Sequence, residues 1–156
     1  MKAPSALKAT DAPKREGSRY PAPHNELCIN RTKHILGDVF GLDQFGVNLA
    51  VIQPGAWSSQ RHWHEKEDEF IYVLDGTITL SDDAGDHLLT PGMCAGFKAN
   101  NGNGHCLKNL TDKPVTYLEV GTRSGNETAW YSDIDMKVTA VDRVSKYTKK
   151  DGSPFL

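Results

Sequence analysis

Long apolar runs, long basic runs and paired cysteines are all missing from this sequence of 156 residues. The longest uninterrupted apolar run, 70–74, is far shorter than the ~20 residues that a membrane-spanning helix requires. The first 17 residues also lack the apolar core of a signal peptide. These absences predict a cytoplasmic protein without a membrane partner.

Positive charge is too scattered to indicate a nucleic-acid partner. The 18 basic and 20 acidic residues give a formal charge of −2, and no basic run is available to neutralise phosphates. Cys28, Cys94 and Cys106 are odd in number and lack CxxC spacing, which indicates free thiols rather than a disulfide framework. No glycine-rich loop precedes a helical pattern, so a nucleotide site is not predicted.

A helical period is missing from every stretch of about 12 residues, whereas 14 glycines and 8 prolines supply many turns. Between these turns lie short apolar-rich segments of the length and composition of strands. Many short strands at intervals of roughly 8–12 residues are typical of an all-β antiparallel sandwich or barrel. The predicted strands are 45–53, 58–64, 68–74, 77–81, 87–90, 94–98, 105–109 and 115–120.

The two ends of the chain differ from this central part. Residues 1–26 contain four of the eight prolines and few large apolar side chains, which indicates an arm that is either loose or laid along the barrel or a neighbouring subunit. Residues 27–125 form the predicted barrel. Residues 126–156 are less regular and are predicted to pack on the barrel as a C-terminal extension, with one further strand over 137–141.

Four side chains at consistent spacing predict a metal site. His62 and His64 are two residues apart in a predicted strand, so both project from one face with Cβ atoms about 6–7 Å apart. Glu69 opens the next strand, and His105 begins a later one. Three imidazoles and one carboxylate suit a divalent first-row metal, which predicts one ion per chain: Zn, Fe, Mn or Ni.

These same residues carry a resemblance to a known family. The stretch Gly55…His62-Trp63-His64…Glu69…Gly76 resembles the first cupin motif, and Gly85…Pro91-Gly92…His105…Asn109 resembles the second. The wider sequence resembles small single-domain bacterial cupins, which often carry sugar-phosphate-isomerase-like names. The resemblance implies a cupin-type antiparallel β-barrel, that is, a double-stranded β-helix or jelly roll, here with irregular N- and C-terminal extensions.

Fold does not select one reaction among the cupins, so the functional hypotheses stay open. The leading hypothesis is an enzyme of isomerase or lyase type, with the metal as a Lewis acid on a small oxygen-rich metabolite, or a dioxygenase if the metal is iron. The alternative is a non-catalytic module that binds a small carbohydrate or metabolite. Gln60 and Glu119 are the candidate catalytic residues. Gln60 lies two residues before His62, so strand alternation puts it on the metal face. Glu119 is a candidate on condition that the alternation of its strand points it inward.

The outer face of the strand that begins at Glu69 predicts a partner. Phe70, Tyr72 and Leu74 alternate to that face, and Trp63 extends it from the preceding strand. Removing such side chains from water is worth roughly 1.5–3 kcal/mol each. The sequence therefore predicts a homodimer, with the segment around 130–136 as an intramolecular alternative cover.

Overall fold

The computed structural model describes residues 3–155, and strands dominate it. The helical elements are one α-turn, Leu36–Val39 (α1), and two 3-10 turns, Ala9–Asp11 and Glu26–Cys28. The strands are Lys14–Glu16 (β1), Arg31–Ile35 (β2), Phe45–Ile52 (β3), His62–His64 (β4), Glu69–Asp75 (β5), Ile78–Asp82 (β6), Gly85–Leu89 (β7), Cys94–Phe97 (β8), Cys106–Lys108 (β9), Val115–Thr122 (β10), Asn126–Tyr131 (β11), Lys137–Val141 (β12) and Val144–Thr148 (β13).

The strands form three antiparallel sheets. Six strands are ordered β1-β2-β3-β10-β5-β8, four are ordered β13-β12-β11-β4, and three are ordered β7-β6-β9. An isolated antiparallel bridge between His62 and His105 links β4 to the segment that enters β9. The architecture confirms the predicted all-β, cupin-type jelly roll.

A tight turn connects β5 to β6. Gly76 adopts φ = +78°, and a Cβ atom there would lie 2.8 Å from the carbonyl oxygen of Pro114. Only glycine meets both conditions without strain. The turn sets where β5 ends and where the chain passes from the six-stranded sheet to the three-stranded sheet.

Two hydrophobic clusters fill the interior. The first lies within the barrel and consists of Ala50, Ile52, Ala56, Ile71, Val73, Ile78, Leu80, Leu89, Leu107, Val115 and Tyr117. The second joins the N-terminal segment to the C-terminal strands through Tyr20, Cys28, Tyr131 and Met136. Both ends of the chain therefore pack onto the barrel, and β1 adds a strand to the edge of the six-stranded sheet.

The terminal extensions are more regular than the sequence predicted. Besides the predicted 137–141, residues 126–131 and 144–148 are also strands, and these three strands continue the sheet of β4. Polar residues interrupt the alternation in β11 and β13, which conceals both strands in the sequence. Within residues 3–155 no helix is long and apolar enough to cross a membrane.

Candidate metal centre

Strand β4 presents two imidazoles to a cavity inside the barrel. His62 and His64 lie on one face of the strand, with ring centroids 5.0 Å apart, and both line the cavity. Trp63 points the opposite way and stacks on Trp130 of β11, with ring centroids 6.4 Å apart. The tryptophan pair therefore covers the outer side of β4, and the histidines face inward.

Glu69 and His105 complete the cluster from two other segments. The backbone of His105 is held to that of His62 by paired N–H···O bonds of 2.9 and 3.1 Å. Oε2 of Glu69 lies 3.7 Å from Nε2 of His62, 3.4 Å from Nε2 of His64 and 2.8 Å from Nε2 of His105. The structure thus brings together all four residues that the sequence analysis singled out.

The unpaired atoms of this cluster fit a cation. Oε2 of Glu69 is buried and has no donor aligned for a hydrogen bond, even though three imidazole nitrogens surround it. A buried carboxylate oxygen without a partner is costly, and a positive ion removes that cost. Three imidazole nitrogens and a carboxylate oxygen are a donor set for a divalent transition metal.

Contacts behind the rings fix the orientation of two histidines. Nδ1 of His62 lies 2.9 Å from the carbonyl oxygen of Gln60. Because a carbonyl can only accept, Nδ1 carries the proton and Nε2 presents its lone pair to the cluster. The ring of His105 is instead stacked on Phe97, and its Nδ1 is buried without a hydrogen-bond partner.

Burial and mutual charge set the protonation of the cluster. Burial lowers the pKa of His62 to about 3, against the opposing effect of Glu69 and with the help of His64 and His105. Burial by itself would raise the pKa of Glu69, but contact with His105 and the charges of His64 and His62 outweigh it and lower that pKa. His62 is therefore neutral and Glu69 ionised at neutral pH, the protonation states that metal binding requires.

A second polar network faces the same cavity, whose volume is about 340 Å³. Nζ of Lys33 lies 2.7 Å from Oε1 of Glu119, and Nδ2 of Asn48 donates to the same oxygen at 2.8 Å. The alternation of β10 therefore points Glu119 inward, the condition under which the sequence made it a catalytic candidate. Sequence reasoning missed Lys33 and Asn48. The alternation of charged and uncharged residues in Arg31-Thr32-Lys33 was the available signal for Lys33.

Gln60, the other candidate, does not line this cavity. Its side-chain Nε2 donates instead to the carbonyl oxygen of His24 at 2.8 Å. The inward orientation inferred from alternation was wrong because the strand predicted over 58–64 begins only at His62. Gln60 thus contacts the cluster through its backbone carbonyl and not through its side chain.

Glu127 is a buried carboxylate beside the cluster that sequence reasoning also missed. Its oxygens accept hydrogen bonds from the backbone N–H groups of Glu65, at 2.8 Å, and Lys66, at 3.0 Å. Oε1 lies 3.9 Å from Nδ1 of His64, and His64, Glu67 and Glu127 can bring one ligand atom each to within 4.8 Å of the others. Glu127 therefore supports the turn that follows the two histidines.

Comparison with known proteins places the chain in a family. The cupin domain family matches residues 48–121. The crystal structure of a cupin-superfamily sugar phosphate isomerase from Silicibacter pomeroyi is 47% identical and superposes with a TM-score of 0.92, covering 97% of this chain and 96% of that chain.

More distant structures share the fold. A candidate sugar phosphate isomerase from Acidithiobacillus ferrooxidans is 26% identical, with a TM-score of 0.73 over 81% of this chain and 80% of that chain. A polyketide cyclase from Streptomyces resistomycificus, 23% identical, covers 75% of this chain and 78% of its own with a TM-score of 0.63, and shows the fold alone. No curated protein matches the sequence significantly. The chain belongs to the cupin superfamily.

Proposed function

We propose that this cupin is a metal-dependent enzyme of isomerase or lyase type that acts on a small hydroxy-carbonyl compound, such as a sugar derivative. His62, His64, Glu69 and His105 would hold one divalent ion. When bound, that ion supplies Lewis-acid chemistry, which makes the C–H next to a carbonyl group more acidic. The name of the Silicibacter pomeroyi neighbour, a sugar phosphate isomerase, supports the isomerase side of the proposal.

One observation carries the proposal: the histidine–glutamate cluster and the Lys33–Glu119 pair line the same cavity of about 340 Å³. A sugar derivative fits a space of this size. Its carbonyl oxygen would face the histidines while the adjacent carbon faces Glu119. Proton transfer needs a carboxylate that is not already a ligand, and Glu119 meets that requirement.

Glu119 is held in place for this role by both of its partners. Lys33 and Asn48 contact the same oxygen, Oε1, so the lone pairs of Oε2 are available to accept a proton from the substrate. Lys33 would donate a hydrogen bond or a proton to an oxygen of the substrate on which negative charge develops. Return of the proton from Glu119 to the former carbonyl carbon, while the hydroxyl on the deprotonated carbon gives its proton back to Lys33, would complete an isomerisation. Loss of a leaving group from the carbon on the other side of the deprotonated carbon would instead complete an elimination.

Proton NMR in D₂O tests the proposal through exchange of the C–H next to the carbonyl group. Glyceraldehyde, dihydroxyacetone and larger hydroxy-aldehydes and hydroxy-ketones serve as substrates for the protein as purified. Glu119→Gln should slow exchange by about 100-fold or more, because general-base catalysis contributes about 10²–10⁴-fold. The matched control is Glu26→Gln on an exposed 3-10 turn, and it should leave the rate unchanged.

Three results of this experiment would count against the proposal. If Glu119→Gln exchanged the C–H as fast as the unmodified protein, Glu119 would not be the base. If the chelator-treated protein exchanged it at the full rate, the reaction would not depend on metal. Substrate binding without exchange would favour the non-catalytic binding module.

A further inference from the structure

A second cavity, separate from the histidine cluster, is lined by arginines. It has a volume of about 270 Å³ and lies between the N-terminal segment and β13. Four arginines border it, namely Arg15, Arg19, Arg31 and Arg143. The four side chains come from β1, the loop that follows it, β2 and the turn before β13, so only the folded chain brings them together.

These four arginines differ from the other two arginines of the chain in having no anionic partner within the described residues, 3–155. Arg61 is paired with Asp83 and Asp133, and Arg123 is paired with Asp38. Among residues 3–155 no carboxylate forms an ion pair with any of the four arginines that border the cavity. The fold thus neutralises the arginines elsewhere and leaves this group charged.

The contacts that the cavity arginines do make are to neutral groups. Nε of Arg31 donates to the carbonyl oxygen of Gly17 at 2.9 Å, and Nη2 of Arg143 donates to the carbonyl oxygen of Asp43 at 3.1 Å. These bonds orient the guanidinium groups without cancelling their charge. Desolvation and the charges of Arg19 and Arg31 lower the pKa of Arg15, against the opposing charges of Asp38 and Glu119.

One acidic side chain, Glu16, also borders the cavity. Its carboxylate is paired with Nζ of Lys14 at 2.7 Å, and both residues alternate away from Arg15 along β1. The Lys14–Glu16 pair is neutral, so the excess of positive charge in the cavity remains. A bound anion would relieve the repulsion among the arginines.

We propose that this cavity binds a phosphate group, either as inorganic phosphate or as the phosphate of a small monoester. A phosphate carries between one and two negative charges at neutral pH and offers several acceptor oxygens. The planar fork of arginine matches two of those oxygens at once, which a lysine ammonium cannot do. A carboxylate offers one charge and two oxygens, so four arginines favour phosphate over a simple carboxylate.

Arg31 lies between the proposed phosphate site and the cavity of the candidate metal site. Arg31 lines both this cavity and the larger cavity that holds the histidine cluster, and its guanidinium lies 5.8 Å from the ring centre of Tyr20, which also lines the larger cavity. The four proposed metal ligands do not border the arginine cavity. Phosphate binding therefore stands independently of the proposed metal and of the proposed reaction.

Titration calorimetry of the full chain at an ionic strength of about 0.15 M tests the site with inorganic phosphate, glycerol phosphate and, as a carboxylate control, acetate. The unmodified protein should bind either phosphate compound saturably at one site per chain and acetate much more weakly. Arg15→Gln/Arg19→Gln should weaken phosphate binding by about tenfold or more, because charge-assisted bidentate contacts are lost. Arg15→Lys/Arg19→Lys should weaken it as well, since charge alone does not replace the fork.

The matched control, Lys8→Gln/Lys146→Gln, removes the same charge from exposed residues that do not border the cavity. It should change the affinity by no more than about twofold, the scale of screened long-range charge effects. Binding should also persist after treatment with a chelator. Absence of saturable phosphate binding, equal loss in the control, or loss of binding on metal removal would each overturn the proposal.

Discussion

The imidazole of His105 stacks face to face on the ring of Phe97, with centroids 3.6 Å apart and planes inclined by 2°. Histidine ligands are usually oriented by a hydrogen bond from the second ring nitrogen, yet Nδ1 of His105 is buried without one. The stacking contact, which crosses from β8 to the entry of β9, therefore orients this ring.

The first prediction tests this orienting role. Phe97→Leu keeps an apolar side chain but removes the aromatic ring on which His105 stacks, so the imidazole should become mobile. The affinity for a divalent metal should then fall by about tenfold, the lower end of the effect of losing a group that orients a ligand. Competition with a chelating dye measures the affinity. Phe45→Leu, at a half-exposed position of β3, is the control. Unchanged affinity in Phe97→Leu would mean that packing elsewhere holds the imidazole.

The second prediction concerns the metal content of the purified protein. Elemental analysis without added metal should find about one divalent transition metal ion per chain, and His105→Gln should abolish it because a central ligand is lost. His87→Gln is the matched control, since His87 is exposed and pairs with Asp82 outside the cavity. Retention of metal by His105→Gln would contradict the ligand assignment.

The third prediction concerns Glu127 and can be measured on metal-free protein. Glu127→Ala leaves the backbone N–H groups of Glu65 and Lys66 without their acceptor, so the free energy of unfolding should fall by about 2–4 kcal/mol. Urea denaturation measures the change. Glu26→Ala on the exposed 3-10 turn should change it by less than about 0.5 kcal/mol. Equal effects of the two variants would show that the turn does not depend on Glu127.

The fourth prediction distinguishes the three thiols by reactivity. Burial raises the pKa of Cys106 to about 11 and also raises that of Cys28, so neither forms the reactive thiolate at pH 8. Cys94 is exposed. A thiol-specific chromogenic reagent should therefore modify one cysteine per chain in the dilute native protein and three after denaturation. Rapid reaction of Cys106 below pH 10 would contradict this expectation.

The fifth prediction concerns assembly. Phe70, Tyr72 and Leu74 are 42%, 40% and 43% exposed, while Trp63 is covered by Trp130 from the C-terminal strands. The C-terminal segment thus covers only part of the outer face, and we expect a second copy of the chain to cover the rest. Light scattering at micromolar concentration should give about twice the 17.2 kDa chain mass.

Cys94 provides an independent measure of the same association. It pairs with Tyr72 across β5 and β8, so a partner on this face would shield its thiol. Its rate of modification should fall as the protein concentration rises. Tyr72→Lys should prevent association, because it would bury a charge in the contact. In this variant Cys94 should be modified at the same rate at high and low protein concentration, and light scattering should give the mass of a single chain. A monomer mass at all concentrations would contradict the dimer.

Local spacing was enough to predict the short strands and the histidine pair of the candidate metal site from sequence. Features that depend only on residues close in the chain can be predicted from the sequence. They include the alternation of His62-Trp63-His64, the turn at Asp75-Gly76 and the repeated short strands. The same local rule failed at Gln60, because alternation holds only within a strand and the chain becomes a strand only at His62.

The pairing of distant segments was decided by the tertiary structure alone. Lys33 meets Glu119 across 86 residues only because β2 and β10 flank β3 in one sheet, and Glu127 reaches Glu65 because β11 pairs with β4. The arginine cavity likewise needs four separate segments to close around it. Contacts of this kind depend on how sheets pack, which no local period encodes. The sequence by itself determined the fold and the four residues of the candidate metal site, and the tertiary structure decided which other charges face that site.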